Sequence, residues 1–331
     1  STEWTAASRT TLNAHYTSPA YASAMWRALQ GLGFEGGQVL EPGCGAGVFM
    51  GLAPEGARMT GVELDPVTAG IAQALYPDVT VRTESFARSP FQDGTFDAVI
   101  GNVPFADTRL LDHNHNPQRR YSMHNHFILK SLALTRPGGM VAVLTSRWTL
   151  DALDDSARRD MLQMADMVTA VRLPTGAHRQ VAGTDAVTDL VVFRVRGDDE
   201  RPPAVEPSWL LTTEVDVPRK ENPDELVETD VNMWFREHPE LVLGELQVGH
   251  GMYNATTLQV RAEDLSRVGE SLERALAGQV RDARAAGLVF TDSAAPQPSP
   301  ERVVAPVAGA GAIDAFDGYI SRDAEGRFWQ V

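Results

Sequence analysis

Residues 38–47 constrain this chain more than any other stretch. Gln38–Glu41 is short and apolar enough for a buried strand, and it runs directly into Pro42-Gly43-Cys44-Gly45-Ala46-Gly47. Glycines in such a turn let the backbone approach a ligand that a β-carbon would repel. Further β-forming runs follow at Met59–Glu63, Val79–Arg82, Asp97–Gly101, Met140–Thr145, Met167–Leu173 and Thr188–Val195, most of them separated by helix-compatible sequence. Strand alternating with helix predicts an α/β fold with a doubly wound, Rossmann-like, mostly parallel sheet. The last two runs have a shorter connection, which predicts an antiparallel C-terminal edge. Before the first strand, Ser18 and Pro19 have the chemistry of an N-cap and a first turn, and Tyr21, Met25 and Leu29 share one face of the helix that would follow.

The chain has 331 residues, 43% of them hydrophobic, and no apolar run long enough for a membrane span. It lacks the basic-then-apolar pattern of a signal peptide, so a cytoplasmic protein is expected, with no membrane partner. One cysteine excludes a disulfide framework and any multi-cysteine zinc site. Net charge is −15, with the acidic excess concentrated beyond residue 196. Residues 106–147 run the other way: Arg109, Arg119, Arg120, Lys130, Arg136 and Arg147 face only Asp107 and Asp112. A phosphate backbone needs a local cationic surface, for which total charge is a poor proxy; scattered solvated arginines are the alternative.

Gly197-Asp-Asp-Glu-Arg-Pro-Pro marks a boundary. It divides residues 1–196, the domain that carries the cofactor and target motifs described below, from an acidic α+β extension at 205–290 and a linker-like tail at 291–331. Leu265, Val268, Leu272, Leu276 and Val280 recur at helical spacing, which predicts an amphipathic helix in the extension. The apolar and aromatic residues Ile320, Phe328 and Trp329 close the sequence, which points to a piece of a larger polypeptide whose other domains would be partners.

The cofactor reading comes from the acids around the glycine turn. A pyrophosphate is poorly served by Glu41 at the strand end, whereas the ammonium and sulfonium of S-adenosyl-L-methionine are well served by it. Glu63, followed by Leu64, ends the second strand and can accept ribose hydroxyls. Glu84, Ser85 and Phe86 follow the third strand and can bracket an adenine, polar edge first and ring second. Candidate cofactor residues are therefore Glu41, Pro42, Gly43, Gly45, Glu63, Leu64, Glu84, Ser85 and Phe86. An unrelated Rossmann-like domain with coincidental acids is the alternative.

Another strand, Asp97–Gly101, runs into Asn102-Val103-Pro104-Phe105. An amide oxygen and a backbone carbonyl can accept the two N–H bonds of a planar amino group while an aromatic ring packs on its face. With these motifs the chain resembles the amino-group DNA methyltransferases, in particular the N6-adenine enzymes. In that family the tetrapeptide reads Asn-Pro-Pro-Tyr or Phe, so Val103 departs from the pattern. His15-Tyr16-Thr17-Ser18-Pro19 is similar to the motif whose threonine meets the methionine carboxylate, which adds Tyr16 and Thr17 to the cofactor set, and Asn102 belongs to both sets. Pro137-Gly138-Gly139 resembles the turn before the next strand. Arg172-Leu173-Pro174, Ala182-Gly183-Thr184, Thr188-Asp189-Leu190 and Asn232–Gly244 resemble a subgroup fused to helicase-like regions in phage and plasmid proteins. The resemblance implies a class I methyltransferase fold and catalytic residues Asn102, Val103, Pro104 and Phe105. It implies methyl transfer to N6 of a flipped adenine in DNA, in a bacterial, phage- or plasmid-encoded setting of restriction–modification or anti-restriction. RNA adenine, cytosine N4 and a protein glutamine amide present the same planar amine, and a catalytically inactive DNA-binding module is a further alternative.

C5-cytosine chemistry needs a thiolate, and the one cysteine, Cys44, sits inside the glycine turn. His113, His115, His124 and His126 cluster after the tetrapeptide. A metal is not expected there, because no carboxylate obviously completes a site. A DNA-facing loop is expected instead, with Arg109, Arg119, Arg120, Tyr121 and Arg147 as nucleic-acid contacts. Trp148 also falls after a strand end near the site, where it can line the pocket or simply pack.

Overall fold

In the computed structural model, the described residues are 17–177, 186–197, 199–250, 256–291, 320–322 and 328–330. Seven strands form the main sheet: β1 (Gly37–Pro42), β2 (Ala57–Glu63), β3 (Thr80–Thr83), β4 (Phe96–Asn102), β5 (Thr135–Ser146), β6 (Ala165–Leu173) and β7 (Thr188–Val195). Their order is β3-β2-β1-β4-β5-β7-β6. All neighbours are parallel except β7, which runs antiparallel to both β5 and β6. The sheet is the mostly parallel, doubly wound one expected, and the antiparallel edge has β7 inserted between β5 and the outermost β6. The order reverses beside β1, and its neighbour β4 is the next strand out. In open α/β sheets ligands bind beyond the carboxyl ends of strands at such a switch point, and here those two ends carry the glycine turn and Asn102-Val103-Pro104-Phe105.

Local chemistry sets the helices. In α1 (Pro19–Gly31) the Ser18 side chain caps the first turn, accepting from the Ala20 N–H, and Pro19 occupies the first helical position. In α2 (Pro66–Leu75) the Asp65 carboxylate does the same for the Thr68 N–H at 2.9 Å. Two more helices, α3 (Met123–Leu134) and α5 (Ser156–Met164), lie on the other face around a one-turn α4 (Trp148–Asp151). Both faces carry a continuous apolar core. One joins Leu40, Val99 and Val141 to Phe127 and Ile128; the other joins Val39, Ala98 and Ile100 to Met25 and Leu29. Buried Asp97 braces the amino ends of three strands: it accepts from the Gln38 N–H at 2.7 Å and from Arg136 Nε at 2.6 Å.

The extension holds a four-stranded sheet, β8 (Thr212–Arg219), β9 (Asn222–Asn232), β10 (Glu245–His250) and β11 (Thr256–Arg261), in the order β11-β10-β8-β9, with a short α6 (Met233–Glu237). The predicted amphipathic helix is α7 (Val268–Ala285). It does not stay with the extension. Val268, Leu272 and Leu276 enter the core beside Met25 and Leu29 of α1, and Arg27 of α1 pairs with Glu273. Phe290 then donates its N–H to Leu32 O at 2.9 Å. The residues on either side of 197–203 therefore share one core. The backbone of the tail forms a short antiparallel pair, β12 (Ile320–Arg322) with β13 (Phe328–Gln330). Among the described residues no helix is long and apolar enough to cross a membrane.

Candidate active site

The glycine turn is held from below by the sheet. The N–H groups of Gly43 and Cys44 both donate to Val62 O, at 2.8 and 3.0 Å. Gly43 and Gly45 have φ of +69° and +53°, the left-handed region that glycine tolerates best. A β-carbon added to Gly45 would meet nothing within 4 Å, so the turn opens onto free space at that point. A β-carbon on Gly43 would stand 3.8 Å from Pro104 Cδ and 4.0 Å from Asn102 O. The glycine turn and the tetrapeptide thus adjoin on one side of the sheet.

Glu41 and Glu63 play different parts. Glu63 is half-buried and accepts from the N–H of Gly45 at 2.9 Å and of Asp65 at 2.8 Å, fixing the turn against β2. Each of its oxygens keeps a second lone pair for a ligand hydroxyl. Leu64 beside it is exposed, an apolar surface at the rim. Glu41 is buried, and its Oε2 has no hydrogen-bond partner. An orphaned carboxylate oxygen under an open glycine turn fits a cationic group, as the methionine ammonium of S-adenosylmethionine would supply. Burial pushes the Glu41 carboxyl well above its usual range, against the pull of the Phe49 and Met50 backbone N–H groups.

That shift predicts a pH effect with a definite sign. As pH rises through the ordinary carboxyl range the unfolded chain loses the Glu41 proton and the folded chain keeps it, so this group lowers stability until its folded form also ionises. Glu41→Gln removes the decline. The difference in melting temperature, variant minus wild type, is expected to be more positive at pH 8 than at pH 5, while affinity for S-adenosylhomocysteine falls. Calorimetric scans at the two pH values check the first effect and titration calorimetry the second.

Of the remaining cofactor candidates, Pro42 is buried at the end of β1 and Thr17 is buried just ahead of α1; Tyr16 lies outside the described residues, as do His15 and Ala182-Gly183-Thr184. Glu84 and Ser85 are half-buried, and the Glu84 carboxylate pairs with Arg82. The Phe86 ring turns inward: it lies 4.8 Å from Phe127, with Lys130 Nζ 5.0 Å from its centroid. Only 3% of Phe86 is exposed, so its ring packs in the core, whereas Glu84 and Ser85 are partly accessible and Arg88 is exposed.

Asn102 ends β4 opposite Leu144 of β5. The next residue extends the ladder, since the Val103 N–H donates to Leu144 O at 3.0 Å. A proline at 103 would restrict φ but could not make this bond. Valine has the N–H, and the sheet supplies the restraint. Val103 is buried, Pro104 and Phe105 are half-buried, and Phe105 packs on the core cluster of that face. Cys44 is buried, and burial followed by the nearby Glu41 and Glu63 pushes its thiol up, which disfavours a thiolate.

The cationic segment needs correction. Lys130, Arg136 and Arg147, three of its six cations, are buried and paired internally, with Asp112, Asp97 and Asp151 respectively. Arg147, expected at nucleic acid, also lies over the Trp148 ring, 3.9 Å from its centroid. Trp148 is 51% exposed and is the outward-facing residue of this turn. Arg109, Arg119 and Arg120 are exposed. Arg120 pairs with Asp160, to which the Tyr121 hydroxyl also donates.

The histidine-rich loop is folded around Asp112. This buried carboxylate accepts from the N–H groups of Asn114 and His115, from Lys130 Nζ, and pairs with His126 Nε2 at 3.1 Å. Burial alone would raise its pKa, but the hydrogen bonds of His115, His126 and Lys130 outweigh it and hold the group far below the usual carboxylate range. His124 is pushed down by burial to about 4. Among the described residues no group of three or more His, Cys, Asp or Glu is placed to hold a metal.

A second buried network explains the later motifs. Arg172 makes a two-pronged pair with Asp189, both bonds 2.8 Å, and reaches Asp151 at 2.9 Å. Asp151 also accepts from Arg147 and from the backbone N–H of Asn232. Asn232 in turn donates to Leu150 O and Trp209 O. Sequence reading marked Arg172, Asp189 and Asn232 but not Asp151, where their bonds converge.

Comparison with known proteins agrees with this geometry. Residues 39–139 match a methyltransferase domain family. The chain is 31% identical over 209 residues to Defense against restriction protein B of Escherichia phage P1, covering 61% of this chain and 9% of that protein. It is 28% identical over 129 residues to ribosomal RNA small subunit methyltransferase C of Chromohalobacter salexigens, covering 36% of each. It thus spans well under half of these relatives' lengths. A solved chain from a type I restriction–modification system is similar at 20% identity and a TM-score of 0.45, covering 55% of this chain and 42% of that one. With the family match over residues 39–139, the doubly wound sheet and the glycine turn above an orphaned carboxylate, the chain carries a methyltransferase domain of the class I, S-adenosylmethionine-dependent fold, and it resembles a phage anti-restriction protein.

Proposed function

We propose that the chain methylates the N6 amino group of an adenine flipped out of DNA, in an anti-restriction or self-protection setting. The observation that carries this reading is the approach of the glycine turn to Pro104 and Asn102 O, within 4.0 Å of where a Gly43 β-carbon would lie. A cofactor over the turn and an amine at the tetrapeptide would share one space. The 31% identity to Defense against restriction protein B supports the anti-restriction setting.

S-adenosylmethionine, when bound, supplies a methyl group on a sulfonium centre. The residues of the chain act on the amine. Its lone pair is delocalised into the purine ring, which makes it a poor nucleophile. The Asn102 side-chain oxygen and the Val103 carbonyl accept its two N–H bonds and favour a tetrahedral nitrogen, whose lone pair then faces the cofactor. Phe105 stacks on the extruded base. Positioning and electrostatics supply most of the rate, and no strong base is needed before attack, because the nitrogen becomes acidic once methylated.

The test is transfer of tritiated methyl from S-adenosylmethionine to DNA, RNA and protein in parallel, followed by nucleoside analysis. Label in DNA as N6-methyladenine is the expected result. Label confined to RNA or protein, or cofactor binding without turnover on any of the three, overturns the reading.

A further inference from the structure

Two loops that follow the candidate cofactor and target residues meet at Lys130. Residues 84–89 follow β3 on the cofactor side. Residues 106–122 follow the tetrapeptide and return to it, since the Met123 N–H donates to Ala106 O at 3.2 Å. Inside this second loop Asn116 and Asp112 are buried and bond to its backbone, with Asn116 accepting from the Arg120 N–H at 2.8 Å.

Lys130 of α3 joins the two loops. An ammonium has three N–H donors. Here they have three acceptors: Phe86 O at 2.7 Å, Ser89 O at 3.2 Å and Asp112 Oδ2 at 2.9 Å. Two belong to the cofactor-side loop, and the third is the buried hub of the target-side loop. Lys130 is 1% exposed and Asp112 3%, so little water can replace a lost partner. A buried ammonium stripped of acceptors is costly. Burial pushes the Lys130 pKa down while Asp112 pulls it up, so the charge depends on these acceptors staying in place.

We propose that Lys130 is a positioning residue that transmits order from loop 84–89 to loop 106–122, so that a cofactor held at 84–86 also fixes the loop that follows the target residues. This rests on the placement of S-adenosylmethionine proposed above. A lysine that served stability alone would loosen both loops when removed, whether or not a ligand was bound. A positioning lysine passes to the second loop the order that a ligand gives the first.

Hydrogen exchange of the full chain, with and without saturating S-adenosylhomocysteine, separates the two. In wild type, ligand is expected to slow exchange about tenfold in both 84–89 and 106–122. In Lys130→Met the protection is expected to remain at 84–89 and vanish at 106–122. Should Lys130→Met fail to fold, Asp112→Asn breaks the same link from the other side, with the same expectation. Wild type protected at 84–89 alone overturns the proposal, as does a folded variant protected at both loops. Titration calorimetry of wild type with the same ligand keeps the underlying reading separate: absence of binding there sinks the cofactor placement itself.

Discussion

Asn102→Ala is expected to lower kcat for methyl transfer by about 10²–10³-fold, the usual loss when one preorganised polar contact to a reacting group is deleted. The side chain sits half-buried at the end of β4, and thermal scans of wild type and variant separate a loss of turnover from a loss of stability. The backbone carbonyl of residue 103 stays in place, because the Val103 N–H remains bonded to Leu144 O. The variant therefore loses one of two acceptors for the amine and keeps the other. KM for the acceptor should rise less than kcat falls, since the polarised nitrogen is a feature of the transition state more than of the bound substrate. Sequencing of modified bases in DNA from cells expressing wild type or variant checks the result: adenine methylation in the first and none detectable in the second. A variant as active as wild type would place the amine elsewhere, and an inactive wild type would favour a DNA-binding module.

The largest effect on stability is expected at Arg172. Arg172→Met would leave Asp189 without its two-pronged partner and Asp151 without one of its three donors, all in the buried network that joins α4, β6, β7 and β9. Breaking a buried ion pair from one side costs about 3–5 kcal/mol. For a domain of this size that lowers the melting temperature by roughly 6–20 °C. The orphaned Asp189 would hold its proton more tightly in the folded state than in the unfolded chain. The deficit is therefore largest at neutral pH and shrinks as pH falls through the carboxyl range. Thermal scans between pH 4 and pH 8 check both size and sign. Arg159→Ala, which removes the exposed pairs to Asp155 and Glu206, is the contrast and should change little.

The sheet was legible because its strands are apolar runs with the right spacing, and the short link before Thr188 foretold the antiparallel edge. The glycine turn, Glu41 and Asn102-Val103-Pro104-Phe105 were legible because each combines a strand end with residues of distinctive chemistry. Burial of charge was not. Lys130, Arg136 and Arg147 look like surface cations in a basic segment, and nothing in the sequence marks Asp112, Asp97 and Asp151 as their buried partners. Asp112 comes 18 residues before Lys130, and only the fold of the loop brings them together. The stripe on α7 announced that one face is covered. It could not say that α1 covers it, because a hydrophobic period identifies a buried face and not its neighbour. Arg147 is drawn inward by Asp151 one helical turn on, while Trp148 beside it faces outward.

The bond from the Val103 N–H to Leu144 O ties residue 103, whose carbonyl is proposed to face the substrate, to the β4–β5 ladder. Its location is inherited from strand pairing rather than from a loop that must find its shape. Successive residues on a strand face opposite sides and advance about 3.3 Å each. A single insertion within either strand would therefore turn the acceptor groups toward the wrong face, while longer segments between Phe105 and α3 leave them untouched. Relatives of this chain should hold the length of the two strands constant.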